Sequence, residues 1–221
     1  MTTAGVGEHL GYVTTEDARA DVWFAWVGDH LRDVDRYSRD YLSDEECARV
    51  REYRSREAAE RYVVTRSLVR VVLSARLDVP ARTLRVSRTD TGKPVVTEGL
   101  HFNVSHSGDL ILVALSEERA VGVDVERKRD VDRVPAMVTR WLNDSEQRAY
   151  DRWRAAGASD SEAFLRIWSL KEARLKALGV GISGAAVAQV DRVEARPLDG
   201  LLDSLAGPHV GNGYVGAVAF A

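Results

Sequence analysis

Hydrophobic and polar positions follow strand-like and helix-like patterns in both halves of the 221-residue chain. In the first half, the apolar and partly aromatic run 21–28 is bounded by charged residues and Gly, which predicts a buried strand. Ser43 with Glu46 three residues later predicts a capping box. A long helix, or a pair of helices, is therefore expected over 44–77, ending before Pro80.

The middle of the chain changes to short extended runs separated by turns. Gly and Pro within 90–94 give that segment the chemistry of a turn. The strands expected after it are 100–104, 110–116 and 121–126. A polar turn at 117–120 joins the last two, so the chain is expected to continue directly from one strand to the next.

Helices dominate the pattern after these strands. Pro135 suits a first helical turn, and Asn143 with Glu146 forms a second candidate capping box. The clearest helical periodicity spans 160–178 and is followed by Gly179, the residue preferred just after a helix. The sequence then predicts strands over 187–193 and 214–220.

Each half of the sequence thus combines strands with helices, and the predicted boundary separates 1–116 from 117–221. Apolar residues make up 45% of the chain, enough to bury a substantial core. The net charge of -3 gives no global indication of nucleic acid or an anionic membrane as a partner. Cys47 is the only cysteine, which excludes an internal disulfide framework and fits a reducing compartment. With no signal-like apolar segment at the start, we expect a cytoplasmic protein.

One stretch is strongly basic. Eight arginines and only three glutamates lie between residues 49 and 76, within the expected helical region. A helix cannot direct all of these arginines at one ligand, so most of them are expected to serve as ordinary surface charges.

Two carboxylates follow a valine-rich strand pattern. Because side chains alternate along a strand, Asp124 and Glu126 should share the face opposite the valines, with Gly122 leaving that face open beside them. A spacing of about 6.6 Å lets both reach one cation, and Mg²⁺ prefers one or two carboxylates with phosphate oxygens and water. Ordinary alternation on a solvated strand explains the same pattern, and the motif alone does not separate the two hypotheses.

A third carboxylate and a lysine lie on the expected helix 160–178. Trp168, Glu172 and Lys176 are spaced four residues apart and so follow one stripe of that helix. The stripe offers another metal ligand and a cation for a phosphate. A surface ion pair between Glu172 and Lys176 is the simpler alternative.

These motifs resemble the Sfp-type 4'-phosphopantetheinyl transferase family. The segment 122–126 reads Gly-Val-Asp-Val-Glu, and 168–176 reads Trp-Ser-Leu-Lys-Glu-Ala-Arg-Leu-Lys, similar to the paired signature of that family. Upstream, 92–94 (Gly-Lys-Pro) and 102–108 (Phe-Asn-Val-Ser-His-Ser-Gly) are similar to two further motifs in the same order. The resemblance implies an α+β fold with two similar α/β halves and the active site in the cleft between them.

The resemblance also implies roles for the acids and the lysine. Asp124, Glu126 and Glu172 would hold Mg²⁺, which grips the pyrophosphate of coenzyme A, and Lys176 would add positive charge to the phosphates. Lys171 lies on a different side of the helix from Glu172. Glu172 and Lys176 are thus candidate catalytic residues as well.

By the same resemblance, the nucleotide end of coenzyme A would bind to residues of the first half. The candidates are Arg49, Arg61, Lys93, Ser105 and His106, joined by Lys176 of the second half. Glu46 departs from relatives that carry lysines near this position, which leaves the exact partners of the 3'-phosphate open.

Glu146 aligns with a glutamate proposed in some family members to deprotonate the serine of the carrier. It also has the position of the reciprocal partner in the capping box with Asn143, which requires no catalytic role. Glu172 and a metal-bound water are the alternative bases. By analogy, the carrier is expected to bind near Trp141 and Leu142.

The implied activity is transfer of 4'-phosphopantetheine from coenzyme A to a serine of an apo acyl, peptidyl or polyketide carrier protein, as in the holo-acyl-carrier-protein synthase reaction. Its partners would be coenzyme A and the carrier, with no nucleic acid or membrane, and the chain would act as a monomer. The alternatives are another Mg-dependent enzyme acting on phosphate esters and a non-catalytic module that binds coenzyme A or a nucleotide. Such a hydrolase leaves the motifs at 92–94 and 102–108 unexplained.

Overall fold

The described residues of the protein, in a computed structural model, are 11–14, 19–96, 99–181, 190–199, 202 and 213–221. The chain divides into two compact units, Met1–Arg119 (unit 1) and Ala120–Ala221 (unit 2). The division falls within the turn predicted at 117–120. None of the described helices has the length and apolarity needed to cross a membrane.

Unit 1 contains a four-stranded antiparallel sheet in the order β1-β2-β6-β5. Its strands are β1 (Gly11–Thr14), β2 (Asp21–Trp26), β5 (His101–Ser107) and β6 (Leu110–Ser116). A separate two-stranded ribbon is formed by β3 (Ser87–Arg88) and β4 (Pro94–Val95). The predicted turn at 90–94 connects the strands of this ribbon.

The helices of unit 1 are α1 (Val27–His30), α2 (Val34–Asp40), α3 (Asp44–Glu52) and α4 (Arg56–Leu77). The predicted helical region is therefore a pair, α3 and α4. The capping box is confirmed, since Ser43 and Glu46 bond reciprocally at the start of α3. Ser55 caps the start of α4, and Asp78 ends it in a left-handed conformation with φ 53°.

The core of unit 1 lies between α4 and the sheet. Val64, Leu68 and Val72 recur at four-residue spacing on α4 and belong to the same buried cluster as Ile111 and Val113 of β6. Burial of each such side chain contributes roughly 1.5–3 kcal/mol. A second cluster joins α4 to the helices before it and consists of Tyr37, Leu42, Val63 and Val71.

Unit 2 contains a three-stranded antiparallel sheet in the order β7-β9-β8. Its strands are β7 (Val121–Arg127), β8 (Glu194–Pro197) and β9 (Tyr214–Phe220). The helices are α5 (Val134–Trp141), α6 (Asp144–Ala155) and α7 (Asp160–Leu178). A buried cluster with members on α5, α6, α7 and β9 forms its larger core.

The ends of α6 and α7 follow the expected local chemistry. The second capping box is confirmed, since Asn143 and Glu146 bond reciprocally at the start of α6. Ser159 caps α7, and Gly179 ends it in a left-handed conformation with φ 70°. The bounds of α7 agree with the predicted helix 160–178.

The segment 117–120 joins β6 to β7, as expected, and the two strands belong to different sheets in different units. Other expectations about the fold were wrong or incomplete. A strand was predicted at 187–193, but residues 190–192 form a helical turn and 187–189 lie outside the described residues. The observed strand, β8, begins after this range, at Glu194. β8 could not be recognised because its own sequence lacks the apolar run that identifies a buried strand. Its Ala195 packs against an alanine-rich cluster. The short β1, α1 and α2 were not predicted.

Candidate active site

The two acids of β7 occupy a buried strand. Asp124 is only 5% exposed, and the valines on the opposite face of β7 are also buried. Glu126 is half-buried. The interpretation of 121–126 as a solvated strand is therefore wrong, because both faces of β7 are covered over most of its length.

Gly122 determines how closely α7 approaches β7. A Cβ atom at this position would lie 2.0 Å from the carbonyl oxygen of Ala173 and 2.4 Å from the backbone nitrogen of Ala177. Gly122 was expected to leave an open space beside the acids, but the backbone of α7 fills that space. The missing side chain lets the helix lie directly against the strand, which places Glu172 and Lys176 of α7 near Asp124.

Cations of unit 2 contact both acids of β7. The Nζ atom of Lys176 donates to Oδ1 of Asp124 at 2.6 Å and to the carbonyl oxygen of Val123 at 3.2 Å. Arg129 donates to Oε2 of Glu126 at 2.8 Å. The alternative of a simple surface ion pair between Glu172 and Lys176 is therefore insufficient, because Lys176 bonds to Asp124 of β7.

Glu172 faces the same group of charges. Burial raises the pKa of its carboxyl, the negative charge of Asp124 raises it further, Lys176 opposes the rise, and Glu126 adds to it. The three carboxylates thus repel one another in the absence of a shared cation. A raised pKa caused partly by two neighbouring acids is typical of a site that gains from binding positive charge.

The donor set fits a hard divalent ion in its chemistry, because it consists of carboxylate oxygens whose mutual repulsion a cation would relieve. In the arrangement seen here, no three His, Cys, Asp or Glu side chains of the described residues are grouped closely enough to hold a metal ion. Lys176 contacts Asp124 instead. Metal binding by Asp124, Glu126 and Glu172 therefore requires these side chains to rearrange.

Glu146 is deeply buried at the start of α6. It is 4% exposed, and its Oε2 atom accepts from the backbone N–H of Asn143 at 3.0 Å and from Nζ of Lys171 at 2.7 Å. Lys171 is itself only 1% exposed. The expectation that Lys171 lies on a different side of α7 from Glu172 is confirmed, and its partner is the carboxylate that was considered as a catalytic base.

A cavity in unit 1 brings together two candidates for the nucleotide of coenzyme A. It has a volume of about 210 Å³ and is lined by Tyr53, Ala58, Arg61, Tyr62, Thr65 and His106. The Nε atom of Arg61 and the hydroxyl of Thr65 are buried there and make no hydrogen bond to any described residue. A guanidinium donor, an imidazole and two tyrosine rings in one cavity suit a phosphorylated nucleotide.

The other nucleotide candidates do not line this cavity. Arg49 is exposed and pairs with Glu52 at 2.6 Å, while Ser105 is 7% exposed on β5. Lys93 lies in the turn of the β3–β4 ribbon, and burial lowers the pKa of its ammonium group. A poorly solvated cation is well suited to a phosphate, since the anion replaces the hydration that burial has removed.

The contacts of Glu46 explain why an acidic residue stands where relatives carry basic ones. Its carboxylate accepts from Nε of Arg66 at 2.6 Å and from Nε of Arg70 at 2.5 Å, with Arg70 only 3% exposed. Burial alone would raise the pKa of Glu46, but the two arginines and the N–H of Ser43 outweigh it and lower the pKa. Two of the eight arginines are thus engaged inside unit 1.

The carrier surface expected near Trp141 and Leu142 needs one correction. Leu142 is only 4% exposed and belongs to the core of unit 2, so it cannot present a docking surface. Trp141 is half-buried and contacts the ring of Trp168 edge to face, with 6.4 Å between centroids. Trp168 therefore packs with this core instead of extending the polar stripe of Glu172 and Lys176.

Two sequence models of protein families match the chain in tandem. A model described as the 4'-phosphopantetheinyl transferase superfamily matches residues 120–206, and one described as 4'-phosphopantetheinyl transferase, N-terminal, matches residues 35–118. This chain belongs to the 4'-phosphopantetheinyl transferase superfamily. The family recognised from the sequence motifs is confirmed, as is the mixed α+β fold with two halves.

Curated members of the superfamily are similar to this chain over part of their length. The phosphopantetheinyl transferase of Thraustochytrium sp. is 34% identical over 154 residues, which cover 64% of this chain and 54% of the relative. The 4'-phosphopantetheinyl transferase HetI of Nostoc sp. is 31% identical over 148 residues, with 64% and 61% covered. The 4'-phosphopantetheinyl transferase gsp of Aneurinibacillus migulanus is 29% identical over 157 residues, with 68% and 63% covered. The chain thus spans between about half and two thirds of the length of these relatives.

Proposed function

We propose that this protein transfers the 4'-phosphopantetheine arm of coenzyme A to a serine of an apo carrier protein and releases 3',5'-ADP. The observation that carries the proposal is the group formed by Asp124, Glu126, Glu172 and Lys176, which Gly122 allows to assemble between β7 and α7. Membership of the superfamily supports the same reaction. The acceptor is an acyl, peptidyl or polyketide carrier, as in the holo-acyl-carrier-protein synthase reaction.

The reaction exchanges the phosphoanhydride bond within the pyrophosphate of coenzyme A for a phosphoester bond to serine. The serine oxygen bonds to the phosphorus that carries pantetheine, the bond from that phosphorus to the 3',5'-ADP oxygen breaks, and the serine proton passes to a base. When bound, Mg²⁺ neutralises charge on the phosphate oxygens and on the leaving 3',5'-ADP. Asp124, Glu126 and Glu172 are the residues of this chain that would hold it.

The side chains of the protein supply position and charge. Lys176 places an ammonium group at the phosphates, where a fixed positive charge stabilises the charge that develops during phosphoryl transfer. Arg61 and His106 bind the nucleotide end in the cavity of unit 1, with Lys93 as the cation for a phosphate. Arg49 and Ser105 remain candidates for further contacts to the nucleotide. Glu172 is the proton acceptor that we consider first, because Glu146 is buried against Lys171.

We further expect the protein to act as a monomer in the cytoplasm, without nucleic acid or membrane as a partner. The test is the intact mass of several apo carrier proteins after incubation with the protein, coenzyme A and Mg²⁺. A mass gain of one phosphopantetheine on the carrier supports the proposal. Hydrolysis of coenzyme A without a mass gain would favour a hydrolase, and binding of coenzyme A without either would favour a non-catalytic module.

A further inference from the structure

The buried pair of Glu146 and Lys171 has a counterpart in unit 1. In each unit a short helix begins with a capping box, and the glutamate of the box also binds a cation of the longer helix that follows. Glu46 binds Arg70, 24 residues later, and Glu146 binds Lys171, 25 residues later. All four side chains are at most 7% exposed.

This common arrangement indicates an architectural role. Nothing in the site chemistry calls for a catalytic carboxylate at Glu46, yet it has the same cap and the same kind of buried cation as Glu146. A carboxylate that bonds simultaneously to the start of one helix and to the side of the next fixes the two helices relative to each other. A buried charge also requires such a partner, because leaving it alone in the core is costly.

The geometry of Glu146 is poor for a base that acts on another protein. A base must come within about 2.6–3.2 Å of the proton it takes, directly or through one water. The Oε2 atom of Glu146 is already engaged by Asn143 and Lys171, and its Oε1 atom is buried without a hydrogen bond to any described residue. Because Glu146 is buried, a carrier serine cannot reach this carboxylate in the arrangement seen here.

Lys171 directly precedes Glu172, so holding Lys171 sets the rotation of α7 about its axis. Successive residues of a helix point about 100° apart, which directs Lys171 towards α6 while Glu172 faces the acids of β7. We propose that Glu146 is a positioning residue whose ion pair with Lys171 keeps Glu172 directed at Asp124 and Glu126. The inference rests on the proposed function, because it assumes that these acids form the metal site.

The experiment is a double-mutant cycle on the full chain with Glu146→Gln, Lys171→Met and the combination of the two. Glutamine preserves the reciprocal bond of the capping box, and methionine keeps an unbranched side chain one atom shorter than that of lysine and without its charge. Each single change leaves a buried charge without its partner, whereas the double change removes both charges and is better tolerated. The readouts are the melting temperature, its rise on adding Mg²⁺ at constant ionic strength, and the rate of carrier modification.

For a positioning residue, Glu146→Gln alone lowers the melting temperature, reduces the Mg²⁺-induced rise and increases the Mg²⁺ concentration for half-maximal rate severalfold. The double variant recovers all three towards the wild-type values. Glu46→Gln is the matched control in unit 1: it removes the carboxylate charge that pairs with Arg66 and Arg70 and lowers the melting temperature, but the Mg²⁺ response stays that of the wild type.

Two results would overturn the inference. One is a double variant with wild-type melting temperature and Mg²⁺ response whose maximal rate stays about 10²-fold or more below wild type, as expected when a base is lost. The other is an unchanged Mg²⁺ response in Glu146→Gln, whether or not the double variant folds. A wild-type protein that modifies no carrier refutes the proposed function instead, and the Mg²⁺-induced melting shifts still test the role of Glu146.

Discussion

Gly122→Ala is the smallest change that tests how β7 and α7 assemble the candidate site. The added methyl group would lie 2.0 Å from the carbonyl oxygen of Ala173 and 2.4 Å from the backbone nitrogen of Ala177. Both atoms belong to the backbone of α7, so no side-chain rotation can relieve the contact. The helix must therefore move away from the strand.

The size of the effect follows from these distances. Non-bonded heavy atoms are comfortable at about 3.5–4.0 Å, so the backbone of α7 must shift by more than about 1 Å. Overpacking of this kind costs roughly 1–3 kcal/mol, which lowers the melting temperature of a chain of this length by roughly 2–12 °C. A displacement of about 1 Å at a reacting centre can reduce the rate by about 10²-fold. We expect both losses in Gly122→Ala, because Glu172 and Lys176 move with the helix.

Gly181→Ala is the matched control, since a Cβ atom there has no neighbour within 4 Å among the described residues and Gly181 lies just beyond the end of α7. Thermal melting and the initial rate of carrier modification would be measured for both variants at the same Mg²⁺ and coenzyme A concentrations. If Gly122→Ala matches Gly181→Ala in melting temperature and rate, then the close approach of α7 to β7 does not hold the site together and the reasoning is refuted.

Three further predictions follow from the charges. Asp124→Asn and Glu126→Gln should each abolish detectable transfer while the far-UV circular dichroism stays unchanged; near-normal rates in either variant would remove that acid from the metal site. Lys93→Ala and His106→Ala should weaken coenzyme A by about 10-fold or more, from the loss of a charge-assisted bond, and dephospho-coenzyme A by less; equal losses measured by calorimetry would place both residues away from the 3'-phosphate. The folded-state pKa of Glu46 is lowered, so its contribution to stability is full above the unfolded pKa and is lost as the pH falls through the folded pKa. The melting-temperature deficit of Glu46→Gln should therefore be largest near neutral pH and shrink on acidification, and a deficit that grows in acid would contradict the assigned pairing.

Local signals in the sequence identified the elements that carry the site. The capping boxes at Ser43 and Asn143 and the glycine after α7 depend on residues within one turn of a helix end, so they can be recognised without tertiary structure. The strand 214–220 was also recognisable, because a short, continuous and largely apolar run is typical of a buried strand. These local rules predicted α7 and β9 with the bounds that the structure has.

Contacts between elements could not be predicted in this way. The pair Lys171–Glu146 joins residues 25 positions apart, and the approach of α7 to Gly122 depends on the packing of a helix against a strand. The sequence allowed two roles for Glu146, a catalytic base or a helix cap. Only its buried partner on α7, which the sequence does not reveal, separates the two hypotheses. In contrast, the family motifs alone identify Asp124, Glu126 and Glu172 as a set, and the structure adds that the three acids share one electrostatic environment.

The most direct test of the proposed transferase activity is the stoichiometry of its two products. The protein would be incubated with coenzyme A, Mg²⁺ and an apo carrier, and 3',5'-ADP and modified carrier would be quantified together over time. A transferase produces one 3',5'-ADP for each carrier serine that gains phosphopantetheine, and neither product forms when the carrier serine is replaced by alanine. Release of 3',5'-ADP without modified carrier, or no reaction with any of several apo carriers, would contradict the account.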